Sequence, residues 1–498
     1  MAGSLSSRGA DATKSTGELS QLWEIISNPW HPETNPTGYV SLGVAENMLM
    51  HNELRDFINS KSLVDPHGKA LTYGDGPSGS KPLLNALSAF LTRHLKPVTP
   101  IEPDHLVVTN GVTTTLEHTA WALTNPGEGI LLGRPYYRGF LPDLQLRTGA
   151  KVVPVSFGTT DPCGPDCVPH YEAALLASNR AGVPIRALLL CHPHNPLGRC
   201  YTRPTLIALM ALCQKYAIHL VSDEIYALST WENPTPPSPT MDAEPAPTSP
   251  PFESILSIPP TDIIAPHLLH TLWGLSKDFG ANGVRLATLI SQANPAFLAA
   301  CRAPALFSSP SSLAENAALA LLGDAVFVDG YIAENRRRLG AAYADAVGLL
   351  ERHGIEYMPG ANAGFFLWVR LGGKGGGKDG AHGAERELQA RLLAKRVFLV
   401  PGESVGAEEG GWFRMVFSQP RELVEEGLRR VRESEDSGEK TNVSIHDSDA
   451  PANFPMDLMG ESHYPYLPCP CMSQIPNPAS PSHPPTKPAN LMSQKSRM

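Results

Sequence analysis

No stretch of the 498-residue chain approaches the roughly 18 consecutive apolar residues that a membrane helix needs. Met1 to Ser20 (MAGSLSSRGADATKSTGELS) lack the apolar core of a secretory leader, so a soluble, cytoplasmic protein is expected. Lys and Arg are scattered and the net charge is −9, which leaves out the basic footprint of a nucleic-acid binder. The eight cysteines have none of the dense spacing of a disulfide scaffold. Cys163 to Cys167 and Cys469-Pro470-Cys471 each lack a matching partner pair, so no metal site is expected.

What is present is apolar material for a large core, 42% of all residues. Val107–Thr109, Gly129–Leu132, Val152–Val155, Ala187–Cys191, Ile218–Ser222 and Ala287–Ile290 read as strands. Between them, stretches such as Thr114–Thr124 and Thr205–Tyr216 carry apolar residues at helical spacing. That alternation predicts an α/β domain around a mostly parallel sheet flanked by helices.

The ends and two interruptions read differently. Residues 1–17 are polar and residues 434–498 are rich in Ser, Pro, Asn and Asp, which predicts disorder in both. The Pro-rich 232–251 and the Gly-rich 372–383 are read as surface loops. Gly372 through Lys378 has the spacing of a phosphate-binding loop. Asp379 stands where Ser or Thr would hold Mg²⁺, and its charge opposes a phosphate, so ATP binding is rejected. Asn442-Val443-Ser444 matches a glycosylation sequon that an intracellular chain would not use. The terminal Ser496-Arg497-Met498 is similar to the Ser-Lys-Leu peroxisomal address, which offers a second location.

The chemistry concentrates in Leu272-Trp273-Gly274-Leu275-Ser276-Lys277-Asp278-Phe279-Gly280, followed by Arg285. A Ser-Lys-Asp step alone is usually a solvated pair. Set among apolar and small residues, the lysine is instead a group whose pKa burial lowers, toward a neutral amine able to attack a carbonyl and to take up a proton. Val221-Ser222-Asp223-Glu224-Ile225-Tyr226 runs from a strand into a turn, placing a carboxylate at the sheet edge where α/β folds take ligands; alone it would serve equally as a helix cap. Thr109-Asn110-Gly111-Val112-Thr113 precedes a helical pattern, an arrangement suited to an anion.

Together with His194-Asn195-Pro196-Leu197-Gly198, Arg134-Pro135-Tyr136-Tyr137, Leu42-Gly43-Val44-Ala45-Glu46-Asn47, Asn362-Ala363-Gly364-Phe365-Phe366 and Trp412-Phe413-Arg414, these motifs resemble, in family order, the class I/II aminotransferases. These are fold-type I enzymes of pyridoxal 5′-phosphate (PLP), and the similarity is to their 1-aminocyclopropane-1-carboxylate (ACC) synthase-like branch. The resemblance spans about residues 38 to 432. It implies an N-terminal arm over 18–50, a large PLP-binding domain over 51–305 and a smaller α+β domain over 306–433. It further implies Lys277 as the Schiff-base lysine, Asp223 at the pyridinium nitrogen, and Tyr226 with Asn195 at the phenolate oxygen. Gly111, Val112, Thr113, Ser276 and Arg285 would hold the phosphate, and Tyr137 would stack on the ring. Arg414 would grip the substrate carboxylate, with Ala45, Glu46 and Asn195 beside it. Tyr73, in Leu71-Thr72-Tyr73-Gly74, would reach the phosphate of a partner subunit, implying a homodimer with shared sites. The family's serine three residues before the lysine is Gly274 here, which puts one phosphate contact in doubt. An aminotransferase acting on an amino acid is the first expectation; a carbon–sulfur lyase or an ACC synthase-like elimination or cyclisation enzyme is the alternative.

Overall fold

A computed structural model of the chain describes residues 4–13, 16–233, 249–372 and 378–441. Seven strands form the central sheet: β1 (Leu106–Thr109), β2 (Gly129–Gly133), β3 (Lys151–Val155), β4 (Ile185–Cys191), β5 (His219–Asp223), β6 (Leu269–Gly274) and β7 (Ala287–Ile290). Their order is β1-β7-β6-β5-β4-β2-β3. All run parallel except β7, which is antiparallel to β1 and β6.

Strands covered on both faces need continuous apolar runs, and β4 (IRALLLC) buries every residue except Arg186. Alternate side chains then feed two cores. Leu188, Leu190, Leu220 and Trp273 enter one. Leu189, Cys191, Val221 and Leu272 enter the other, which continues into Phe366, Phe413 and Met415. Each leucine so buried contributes about 1.5–3 kcal/mol. Between β4 and β5, the helix Arg203–Tyr216 starts where the Thr202 hydroxyl accepts the Thr205 amide and Pro204 fills the first turn.

A second, antiparallel sheet has the order β10-β11-β9-β8, from β8 (Glu356–Tyr357), β9 (Phe366–Arg370), β10 (Val400–Pro401) and β11 (Trp412–Val416). The N-terminal Val40–Ser41 pairs in parallel with Val397–Phe398, tying residues from the two ends of the described fold together.

Six predicted strands are present, within two residues of their expected bounds. The seventh, β6, was read only as the start of the lysine motif. Its sequence, LHTLWG, is fully buried but neither alternates nor is rich in β-branched residues. Three expectations of irregular chain are corrected. Ser7–Thr13 and Thr16–Ser27 are helical, where disorder to residue 17 was expected. The Gly-rich stretch becomes helix at Lys378–Ala394, held where the Glu385 carboxylate accepts the Glu403 and Gly411 amides at 2.8 Å each. The last helix, Arg421–Thr441, passes the expected end at 433, where Arg429 pairs with Glu433, Arg432 pairs with Glu435 and Ser434 is fully buried.

Most of the Pro-rich insertion, the sequon at Asn442, Cys469, Cys471 and Ser496-Arg497-Met498 lie outside the described residues. Among the described residues no single helix is long and apolar enough to cross a membrane, and no group of three or more His, Cys, Asp or Glu is placed to hold a metal.

Candidate active site

The C-terminal ends of β1, β4, β5 and β6 lie on one edge of the sheet, and each delivers part of the cluster. β6 stops at Gly274 and turns directly into the short helix α3 (Leu275–Asp278), which carries Lys277. Three hydrogen bonds to the buried Asp278 fix that turn, from the Leu228 amide, the Ser229 hydroxyl and the Trp273 indole. The Lys277 Nζ donates to the Ala45 carbonyl at 2.6 Å. Asn282 shares that acceptor at 3.2 Å. Burial, with Arg414 nearby, lowers the lysine pKa to about 8, and Glu46 opposes the shift. Neutral amine is therefore accessible near physiological pH.

β5 ends in Asp223. Burial pushes its carboxyl up to about 7; the Ile225 amide and Lys277 pull it down, and Asp143 raises it further. A cation beside it, such as a protonated ring nitrogen, would restore the charged form. Tyr226 follows on the turn, its ring edge-on to Phe365 and Phe366 at 5.5 and 5.4 Å.

β4 leads into Asn195, which joins two groups. Its Nδ2 donates to the Tyr226 hydroxyl at 3.4 Å, and its Oδ1 accepts from Arg414 Nη1 at 3.0 Å. Arg414 Nη2 donates to the Gly43 carbonyl at 2.6 Å, and the guanidinium lies over the Phe366 ring. Its Nε is buried without a partner. A guanidinium 4% exposed, with no carboxylate partner, is an anion receptor.

β1 leads through Gly111 into helix α1 (Val112–Leu123). Gly111 has φ +87°, and a Cβ there would come within 2.2 Å of Arg285 Nη2. The bare glycine thus admits the guanidinium beside the first-turn amides of Val112 and Thr113, which have no acceptor within the helix. Ser276 is buried close in sequence to Lys277. These residues fit a phosphate group.

Tyr137 lies edge-on to Phe140, within electrostatic reach of Asp223, Arg414 and Arg285. Ala45 and Glu46 belong to the Leu42–Asn47 strap, which is tied down by Leu42 to Val416 and Phe398 and by Glu46 to Ser418.

The structure therefore brings together Lys277, Asp223, Tyr226, Asn195, Arg414, Tyr137, Arg285, Ala45 and Glu46, with Gly111, Val112, Thr113 and Ser276 at the edge. Tyr73 is apart, 94% exposed. Gly274 proves to be a packing constraint. It faces Ala287 across β6 and β7, and a Cβ there would stand 2.9 Å from Ala287 Cβ and from the Leu286 carbonyl.

Sequence reasoning missed Asn282 and Asp143. Asn282 lies five residues beyond Lys277, between the lysine motif and Arg285, but its amide gives no signal in sequence. Asp143, on helix α2 (Phe140–Gln145), is buried at Oδ2 with no hydrogen-bond partner, and burial raises its pKa to about 7 against the opposing influence of Thr113 and Arg285.

Comparison with known proteins agrees with this geometry. The family profile described as aminotransferase class I and II matches residues 39–431. A probable aminotransferase of Leptosphaeria maculans, sirI, is 32% identical over 86% of this chain and 98% of its own length. ACC synthase 2 of Cucurbita pepo is 30% identical over 84% of this chain and 83% of its own. Among solved structures, a Thermus thermophilus aspartate aminotransferase double mutant superimposes with a TM-score of 0.64 at 19% identity, covering 86% of this chain and 99% of that one. This last likeness speaks for the fold alone.

Proposed function

The chain belongs to the class I and II aminotransferase family, whose members are PLP enzymes, and we propose that within it this protein transfers the amino group of an α-amino acid, using Lys277 as the proton-carrying residue. The observation that carries this reading is the buried chain Arg414–Asn195–Tyr226 beside Lys277.

Bound at this site, PLP supplies an electron sink for the electrons left when the α-proton departs. Asp223 would hold the ring nitrogen, Tyr226 and Asn195 the phenolate oxygen, Tyr137 the ring face, and Gly111, Val112, Thr113, Ser276 and Arg285 the phosphate. The chain's own groups do the rest. Arg414 binds the α-carboxylate with two parallel donors and so orients the Cα–H bond. Asn195 links that arginine to Tyr226, so carboxylate recognition and ring position are held by one amide. Lys277, with its pKa near 8, takes the proton at Nζ and can return it elsewhere. Ala45 and Glu46 cover the amine and limit water.

A second copy of the chain completes the reading: Tyr73 and Leu71, 94% and 76% exposed, would be covered by the partner, with Tyr73 at the partner's phosphate. Mixing Lys277→Ala with Tyr73→Phe chains tests this. Hybrid dimers would contain one intact site, whereas no recovered activity on mixing would reject a shared site.

The test of the chemistry is to supply single amino acids to the purified, PLP-loaded protein. Keto acid with aminated cofactor is the expected product. Ammonia, thiol or a cyclised product without aminated cofactor would replace the transferase reading with the elimination reading that the Cucurbita pepo relative's name suggests.

A further inference from the structure

Helix α1 carries a buried imidazole that none of the roles above uses. His118 is 2% exposed and lies about two turns beyond Gly111, on the same side of the helix. A ring so buried needs both nitrogens paired. Nδ1 lies 2.5 Å from Glu117 Oε2, and Nε2 lies 2.8 Å from Ser308 Oγ. The bond from His118 holds the Glu117 carboxyl below its ordinary pKa, so the carboxylate accepts and Nδ1 donates. Arg147 meets the other Glu117 oxygen at 3.3 Å.

Ser308 ends the short helix Ala305–Ser308, and its carbonyl accepts the Asn110 amide at 2.7 Å. Asn110 is the residue between β1 and Gly111. Ser308 is therefore fastened to α1 and its lead-in at two points, by its side chain at His118 and by its backbone at Asn110. The order Ser308–His118–Glu117 is also that of a nucleophilic triad. That reading fails, because Ser308 is 4% exposed and its hydroxyl lies 3.1 Å from the Pro304 carbonyl. A hydroxyl so enclosed offers no approach to a substrate.

The consequence falls at the phosphate end. The amides of Val112 and Thr113 take their direction from Asn110-Gly111, and Gly111 is the residue whose missing Cβ admits the Arg285 guanidinium. A shift of Asn110 displaces both sets of donors. We propose that His118 is a positioning residue for phosphate binding: by holding the Ser308 hydroxyl it fixes the Ser308 carbonyl, and through it the Asn110 amide and the donors that follow. The proposal rests on the reading of this site as a PLP site.

The test titrates pyridoxamine 5′-phosphate and unphosphorylated pyridoxamine, by fluorescence at one pH, into the full-length protein freed of cofactor. The difference between the two affinities isolates the phosphate. Glutamine carries its amide nitrogen where histidine has Nε2, and asparagine where histidine has Nδ1. His118→Gln therefore keeps the bond to Ser308, and His118→Asn keeps only the bond to Glu117. His118→Asn and Ser308→Ala are each expected to bind pyridoxamine 5′-phosphate about tenfold more weakly, the effect of one lost buried hydrogen bond, with pyridoxamine affinity unchanged. His118→Gln stays within about twofold of the wild type. The double variant His118→Asn/Ser308→Ala is no weaker than either single one, because both act through the same bond. Equal losses for both ligands, equal affinities of His118→Gln and His118→Asn, or losses that add in the double variant overturn the proposal. Where His118→Asn does not fold, Ser308→Ala decides, and an unchanged phosphate affinity in it overturns the proposal. Failure of the wild type to bind pyridoxamine 5′-phosphate overturns the PLP reading instead.

Discussion

The two ends of the site are built in opposite ways. At the substrate end Arg414, Asn195 and Tyr226 are all at least 96% buried and bonded to one another, so their geometry is set before any ligand arrives. At the phosphate end Arg285 is exposed, Gly274 presents no side chain, and Tyr73 is 94% exposed. One end recognises through rigidity; the other is completed by what binds to it and by a second chain.

Substitutions can break or sharpen that contrast. The largest effect is expected from Lys277→Ala, which serves both ends: turnover should fall by at least about 10⁴-fold, and the visible band of bound cofactor should vanish. A purified wild type that shows no such band after PLP is added would remove the basis for both ends.

Arg414→Lys keeps the charge but loses the paired donors. A rigid substrate end should then lose about 10²-fold in kcat/KM, near 3 kcal/mol, with cofactor affinity unchanged. A parallel loss of PLP affinity would show that the two ends are not independent.

At the other end, Gly274→Ser should lower stability by about 1–3 kcal/mol in denaturant melts, because its Cβ meets Ala287 and the Leu286 carbonyl. Adding Ala287→Gly should recover most of that loss and allow the hydroxyl to tighten PLP binding. A single variant as stable as wild type would mean that the contact yields.

The smallest effects concern titration. The rate at which the unloaded protein takes up PLP should rise with pH and level off above about 8, since only the neutral amine of Lys277 attacks the aldehyde. Arg414 disfavours the ammonium and Glu46 favours it, so Arg414→Gln should move the midpoint up and Glu46→Gln should move it down. Shifts of the opposite sign would place these charges elsewhere.

The sheet was legible where strands are continuous apolar runs, as in β4, because burial on both faces leaves that residue pattern. It was not legible in β6, whose His270, Thr271 and Gly274 interrupt the pattern while packing decides the conformation. Lys277, Asp223, Asn195 and Arg414 stood out because each sits in a short contiguous motif, although the bonding partners of Lys277, Asn195 and Arg414 are remote in sequence. Asp143 and the Ala45 carbonyl did not. Asp143 stands in no motif, and a backbone oxygen acting as the acceptor for a lysine 232 positions away leaves no trace in residue identity.

The bond from Arg414 to the Gly43 carbonyl joins residues 371 positions apart. During synthesis, the strap at Leu42–Asn47 leaves the ribosome long before the strands that pin it, so the nascent large sheet can form while its own site is still open. Closure of the substrate end in a growing chain accordingly waits for Trp412–Val416. A chain terminated before that strand would keep Lys277 but have no Arg414 guanidinium to hold Gly43.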